Sequence, residues 1–104
     1  MPRDSVPPDT TPGPVTSITV TPDSQQVAVG DSGAVTAALR DAAGRQVRDD
    51  AGVTQWEVSD PTVVRITGVG IGWPYVIFRA QRSGRAAVIA RYRTLADTAL
   101  VVVR

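Results

Sequence analysis

The segment that most constrains the fold of this chain is a tryptophan-bearing strand followed by a proline corner, between Val53 and Ile66. Apolar and polar residues alternate around Trp56, which predicts a strand with its tryptophan facing inward. Ser-Asp-Pro at residues 59–61 is a turn signal, and a second apolar strand is expected to follow it at residues 63–66. A single tryptophan held between two short strands is typical of a small β-sandwich.

Short alternating segments separated by Gly, Pro, Asp and Ser recur along the rest of the chain, and no window shows a helical period. They lie at residues 15–21, 27–29, 35–39, 75–80, 86–92 and 99–103. Valine and threonine are frequent, and β-branched side chains favour strands. The pattern predicts an all-β sandwich of about seven to eight short, mainly antiparallel strands.

A chain of 104 residues is long enough for one domain with one core. Residues 1–14 contain five prolines, which predicts a flexible leader or linker, and residues 15–104 are expected to form the sandwich domain. Strand parity predicts the following core residues: Ile18, Val20, Val35, Leu39, Trp56, Ile66, Phe78, Val88 and Val101.

The composition argues against several classes of function. The chain has no Cys and no His, so a thiolate nucleophile, the commonest general base and the commonest metal ligand are missing. We therefore expect no enzyme activity, no catalytic residue, no cofactor and no metal site. Asp49 and Asp50, with Asp41 nearby, could offer oxygen ligands to calcium, but we interpret them as solvated acids. A net charge of +1 argues against nucleic acid, and no apolar run is long enough to span a membrane.

Six short motifs in the right order make the chain similar to the bacterial immunoglobulin-like domains of group 2, found in surface proteins of the intimin and invasin type. They are Ile18–Pro22, Val27–Asp31, Val35–Ala37, Trp56–Ile66, Gly84–Ala90 and Val101–Val103. The resemblance implies an immunoglobulin-like sandwich. It also implies a non-catalytic, extracellular or envelope-located module of a surface or secreted protein, acting as a structural spacer or adhesion unit. Such modules often stand in tandem, so neighbouring domains or self-association are expected.

Two alternatives remain open at this point. Similar domains decorate phage tails and capsids, and others serve as carbohydrate-binding accessories of enzymes. The candidate partners are a protein or a glycan, and the sequence identifies neither. Fold alone does not choose among these roles.

The chain departs from the family pattern in a long apolar connection between Thr67 and Tyr75. Here Val69, Ile71, Trp73 and Tyr75 alternate with glycines, which predicts either a lid over the open end of the core or a contact site for a partner. A second candidate contact surface is an arginine patch in the last third of the chain. Alternation along the strand predicts that three arginines there point outward on the same face. These arginines are Arg85, Arg91 and Arg93.

Overall fold

The computed structural model describes residues 14–104, and the expected leader at residues 1–14 lies outside the described residues except for Pro14. Nine strands and no helix form in the described part. They are β1 (Val15–Thr21), β2 (Ser24–Val27), β3 (Ser32–Asp41), β4 (Gln46–Val47), β5 (Gln55–Val58), β6 (Val64–Gly70), β7 (Tyr75–Ala80), β8 (Gly84–Tyr92) and β9 (Leu95–Val103).

The strands build two packed sheets. Sheet A has the order β1-β3-β7-β6, with β4 added beside the end of β3, and sheet B has the order β2-β9-β8-β5. All pairs are antiparallel except β2 with β9, which run parallel. This is the arrangement of immunoglobulin domains, in which the chain crosses between two sheets and closes one core. The expected immunoglobulin-like β-sandwich is confirmed.

Three details of the strand assignment differ from the expectation. The structure places β2 at Ser24–Val27, three residues before the expected segment, because Gln25 and Val27 turn toward the interior there. The two-residue strand β4 has no sequence signal of its own. Strand β6 continues to Gly70, so half of the expected loop is strand.

The core lies between the two inner faces and is built from alternate residues of each strand. Seven of the expected core residues are buried: Ile18, Val20, Val35, Leu39, Phe78, Val88 and Val101. Alanines and valines make up much of the remainder, so the sheets pack closely. The Phe78 ring lies so near Gly33 that a Cβ there would overlap it, and glycine is needed at that close approach.

Trp56 and Ile66 are half-buried and pack against the core from its side, which corrects their expected place within it. The reason is topological. Trp56 lies on β5 and Ile66 on β6, and these are edge strands of sheets B and A. A residue on an edge strand has a neighbouring strand on one side only. The alternation of the sequence therefore predicts whether its side chain points inward, but not how completely that side chain is buried. The Trp56 indole Nε1 is buried and has no hydrogen-bond partner.

The Ser-Asp-Pro corner forms for identifiable reasons. Ser59 is tied to β8 in both directions: its N–H donates to the Ala87 carbonyl at 2.9 Å, and its Oγ accepts from the Ala87 N–H at 2.8 Å. The Asp60 carboxylate accepts the Thr62 N–H at 3.0 Å, as Asx turns do. The motif thus carries the chain from sheet B to sheet A.

The chain enters and leaves the domain at opposite ends. Val15 pairs with Asp41, the last residue of β3, whereas Val29, just before β3 begins, donates its N–H to the Arg104 carbonyl at 3.2 Å. Val15 therefore lies at the end where β9 begins, and Arg104 lies at the far end.

Candidate interaction surface

The β6–β7 hairpin carries five of the seven exposed large apolar side chains in the described residues; the other two are Val29 and Leu100. Every second residue through the turn is exposed, and we call this set the hairpin ribbon. Its members and exposed fractions are Val69 58%, Ile71 67%, Trp73 43%, Tyr75 41% and Ile77 41%. Four of the five were expected as contact residues, and Ile77 was missed, although its parity opposite to Val76 and Phe78 indicated an outward side chain.

A register shift between Ile66 and Gly68 accounts for the unusual exposure. Before the shift, Val64 and Ile66 point toward the core. After it, Gly68 and Gly70 lie on the outer face opposite Ile77 and Tyr75, whereas Val69 lies on the inner side opposite the buried Val76. Since Val69 is more than half exposed, sheet B does not cover sheet A at this position. The ribbon thus wraps around the free edge of sheet A.

The turn of this hairpin is anchored by the segment that follows β4. The Asp49 N–H donates to the Gly72 carbonyl at 2.6 Å, and the Gly72 N–H donates back to the Asp49 carbonyl at 3.1 Å. Gly72 has φ +84°, a left-handed conformation that favours glycine. On the other side, the Ala37 N–H donates to the Pro74 carbonyl at 2.8 Å. The turn is therefore held from both directions.

The Asp49 side chain is buried and organises the loop around it. Its two carboxylate oxygens accept the backbone N–H groups of Val53 at 2.9 Å and Thr54 at 2.6 Å. Burial opposes ionisation, but hydrogen bonds from Thr54 and from the Val53 backbone outweigh it, so the pKa of Asp49 lies below its ordinary value. Asp49 is thus an ionised anchor that closes residues 49–54 beneath the hairpin.

Trp73 lies on the surface beside Arg48. The Arg48 guanidinium carbon stands 4.9 Å from the centre of the indole ring, within the range of a cation–π contact. The same guanidinium pairs with Asp50 at 3.0 Å and occupies the space above Gly72. The next residue, Pro74, is fully buried, and Gly72, on the other side of the indole, is buried as well. The indole therefore does not fold back as a lid over the core, and its role as a contact site for a partner stays a prediction.

The three arginines expected to form a patch are not brought together. Arg85 and Arg91 are both exposed on β8, but six residues of extended strand separate them by about 20 Å. Arg91 is paired with Glu57 of β5 at 2.7 Å. Arg93 lies in the β8–β9 turn at φ 54° and contacts the Tyr92 ring. Of the three expected patch residues, Arg91 is therefore neutralised by an acid, and Arg85 is too far from it to share one binding site.

The acidic residues weighed as calcium ligands have other partners, and the expectation that they are solvated is wrong for Asp41 and Asp49, whose side chains are buried by the backbone groups they bind. Asp49 accepts backbone N–H groups, Asp50 pairs with Arg48, and Asp41 accepts the Ala43 and Arg45 N–H groups. Within residues 14–104, no group of three His, Cys, Asp or Glu side chains is placed to hold a metal ion. The same part of the chain contains no helix that is long and apolar enough to cross a membrane.

Comparisons with known proteins find similarity at the level of the fold. No family model matches the sequence, and no curated protein matches it. Among solved structures, domains 4 and 5 of the S-layer protein SbsC align with a TM-score of 0.71 and 18% identity, over 86% of this chain and 51% of that one. Domains 5–6 of SbsC align with a TM-score of 0.74 and 16% identity, over 86% and 44%.

A six-domain SbsC structure aligns with a TM-score of 0.72 and 16% identity, over 86% of this chain and 13% of that one. This chain thus spans about half or less of the length of the structures it matches. At identities this low the likeness shows a shared fold.

Proposed function

We propose that this chain is a non-catalytic immunoglobulin-like module of a bacterial surface or secreted protein, related to the group 2 bacterial immunoglobulin-like domains, and that it serves as a structural spacer. The observation that supports the spacer role is the path of the chain through the domain. Because β1 begins at one end of the sandwich and β9 finishes at the other, modules joined in series extend as a rod rather than folding back.

The similar structures support a surface location. They belong to an S-layer protein, and each contains more domains than this chain matches. A module of the same fold in an extracellular or envelope protein is consistent with both facts. The exposed hairpin ribbon adds a surface through which such a module contacts a partner, as an adhesion unit does.

The terminal strands also suit a part that carries load. When the two chain ends are pulled apart, β9 is drawn along its own length against its parallel neighbour β2, whose four residues pair with Leu100–Val103. The Leu100 N–H donates to the Asp23 carbonyl at 2.8 Å, and the Arg104 N–H donates to the Val27 carbonyl at 3.0 Å. Such a ladder is loaded in shear, so its hydrogen bonds resist together rather than opening one by one.

Single-molecule pulling of a tandem polyprotein of this chain tests the spacer role. Each module should release about 300 Å of chain, as expected for a domain of this length when extended. In the hydrogen bonds above, the backbone carbonyls of Asp23 and Val27 point toward β9. The backbone N–H and C=O groups of the odd-numbered residues of β2 therefore point toward β9, and those of Gln26 point away from it. Gln25→Pro should therefore lower the rupture force, whereas Gln26→Pro, which removes an N–H pointing away from β9, should lower it much less. Equal forces for the wild type and Gln25→Pro would refute the load-bearing role.

The location is tested separately on cells of the source organism. Protease treatment of intact cells should remove the epitope recognised by an antibody against this domain, or the domain should be found in the medium. Recovery of the native protein wholly in the cytoplasmic fraction would contradict the proposal.

A further inference from the structure

The outer face of sheet A carries an excess of positive charge. Its five strands contain three arginines and only one acidic residue, Asp41, whose side chain is buried. The arginines are Arg40, Arg65 and Arg79. In sheet B, by contrast, the outer face has two arginines, Arg85 and Arg91, and Arg91 is neutralised by Glu57 on the same face. The charge of the molecule is therefore unevenly divided between its two broad faces.

Arg65 and Arg79 stand directly opposite each other on β6 and β7. Both are exposed, and within the described residues no acidic side chain forms an ion pair with either of them. Like charges directly opposite on neighbouring strands destabilise a sheet, and this sheet supplies no compensating acid. A local cost of this kind is consistent with an external anion that neutralises the pair.

A flat aromatic platform lies farther along the same two strands. Tyr75 is opposite Gly70, and its ring lies across that glycine so closely that a Cβ would overlap ring atoms Cδ2, Cε2 and Cζ. The ring therefore rests on the backbone while 41% of the residue remains exposed. Its neighbours Ala34, Gly68 and Thr36 are small and leave the surface around the ring open.

The distance along β7 from Tyr75 to Arg79 is about 13 Å for four residues of extended strand. Ile77 lies between them on the same face and is also 41% exposed. The strip thus presents an aromatic platform, an apolar side chain and two guanidinium groups in a line, with the hydroxyl groups of Thr36 and Ser32 beside it.

We propose that this strip, formed by Tyr75, Ile77, Arg65 and Arg79, binds an anionic polysaccharide that carries carboxylate or phosphate groups. The apolar C–H face of a sugar ring packs on the open face of Tyr75, as apolar groups pack on aromatic rings. Guanidinium groups bind carboxylate and phosphate through paired N–H donors. A low, flat platform fits a ring-shaped ligand better than it fits a protein side chain, which needs a pocket for anchorage.

The experiment is affinity electrophoresis and calorimetric titration of the full chain with three polysaccharides and one acidic polypeptide. The polysaccharides are polygalacturonate, which carries carboxylates, a phosphorylated mannan, and neutral dextran; the polypeptide is polyglutamate. Binding to one or both anionic polymers, and not to dextran, is expected, and the stronger of the two identifies the charged group. Affinity should fall as salt is raised, because the arginines are exposed.

Two variants locate the site. The double variant R65Q/R79Q should lose about tenfold or more in affinity through the loss of charge-assisted contacts. R85Q/R93Q removes the same charge from elsewhere on the molecule and should bind as the wild type does. Tyr75→Ser should also weaken binding, and should do so equally at low and high salt. R65Q/R79Q should fold at least as stably as the wild type, because it relieves a repulsion, so its loss of binding reports on the site.

Three outcomes would overturn the proposal: no binding to either anionic polymer, equal losses in the two arginine pairs, or binding to polyglutamate that is as tight as binding to the glycans and unaffected by Tyr75→Ser. The last result would assign the strip to an acidic protein instead. The proposal goes beyond the spacer role, and its failure leaves the pulling experiment unaffected.

Discussion

Replacement of Asp49 tests the view that one buried carboxylate holds the hairpin in place. Asp49→Ala leaves two backbone N–H groups, those of Val53 and Thr54, without their acceptors. Hydrogen bonds to charged groups contribute about 1.5–3 kcal/mol each, and partial access of water reduces the loss, so we expect a destabilisation of about 3 kcal/mol. In a domain of this size that lowers the melting temperature by roughly 12–24 °C.

The matched control is the neighbouring residue. Asp50 is exposed and pairs with Arg48 on the surface, so Asp50→Ala should cost less than about 1 kcal/mol. Urea unfolding followed by circular dichroism compares the two variants. If Asp49→Ala falls within about 1 kcal/mol of Asp50→Ala, then Asp49 does not anchor the loop and the reasoning is refuted.

The pH dependence supplies an independent check of the same anchor. The pKa of Asp49 is lower in the folded protein than in the unfolded chain, so ionised Asp49 stabilises the fold above the unfolded value. This contribution is lost as the pH falls through the folded pKa. Asp49→Asn keeps one acceptor oxygen but never ionises. The difference in stability between wild type and Asp49→Asn should therefore be largest near neutral pH and should shrink in acid, and a difference that is constant with pH would contradict the assignment.

The remaining predictions concern the exposed hairpin and the edge tryptophan. Trp73→Ala removes an exposed ring and its contact with Arg48, so thermal unfolding should show a loss of only about 1 kcal/mol or less. Gly70→Ala should lower the melting temperature because its Cβ would overlap the Tyr75 ring, whereas Gly68→Ala, with its nearest neighbour at 3.8 Å, should be tolerated. Trp56→Phe removes the buried indole N–H that lacks a partner, so it should cost far less in denaturant unfolding than Trp56→Ala.

The inner architecture is predictable from the sequence because it depends on period-two alternation. Val35 and Phe78 both fall on the buried side of alternating segments, and the structure places both in the core. The tryptophan strand and the proline corner also form where the pattern predicts them. Alternation does not indicate which strands end up at the edges, because that depends on the strand order. This is why Trp56 is half-buried rather than enclosed.

The surface is less predictable, since it depends on pairs of residues that are far apart in sequence. Alternation along β8 indicates that Arg85 and Arg91 point outward. The acid that neutralises Arg91 is Glu57, which lies on another strand and becomes a neighbour of Arg91 only in the folded sheet. The opposition of Arg65 and Arg79 arises in the same way from the β6–β7 register. The buried role of Asp49 is likewise invisible, because it depends on a bridge to Gly72.

The two proposals for this chain use different parts of the molecule. Connections to neighbouring modules occupy the two ends, where β1 begins and β9 finishes. The strip of Tyr75, Ile77, Arg65 and Arg79 lies on the broad side of sheet A; it shares Tyr75 and Ile77 with the hairpin ribbon, which continues around the free edge of that sheet. Joining modules in series therefore leaves the strip uncovered, whereas the turn of the hairpin lies toward the end where β1 begins. Repetition of the module would place one such strip on every unit, so weak contacts to a long polymer would add to one another through avidity.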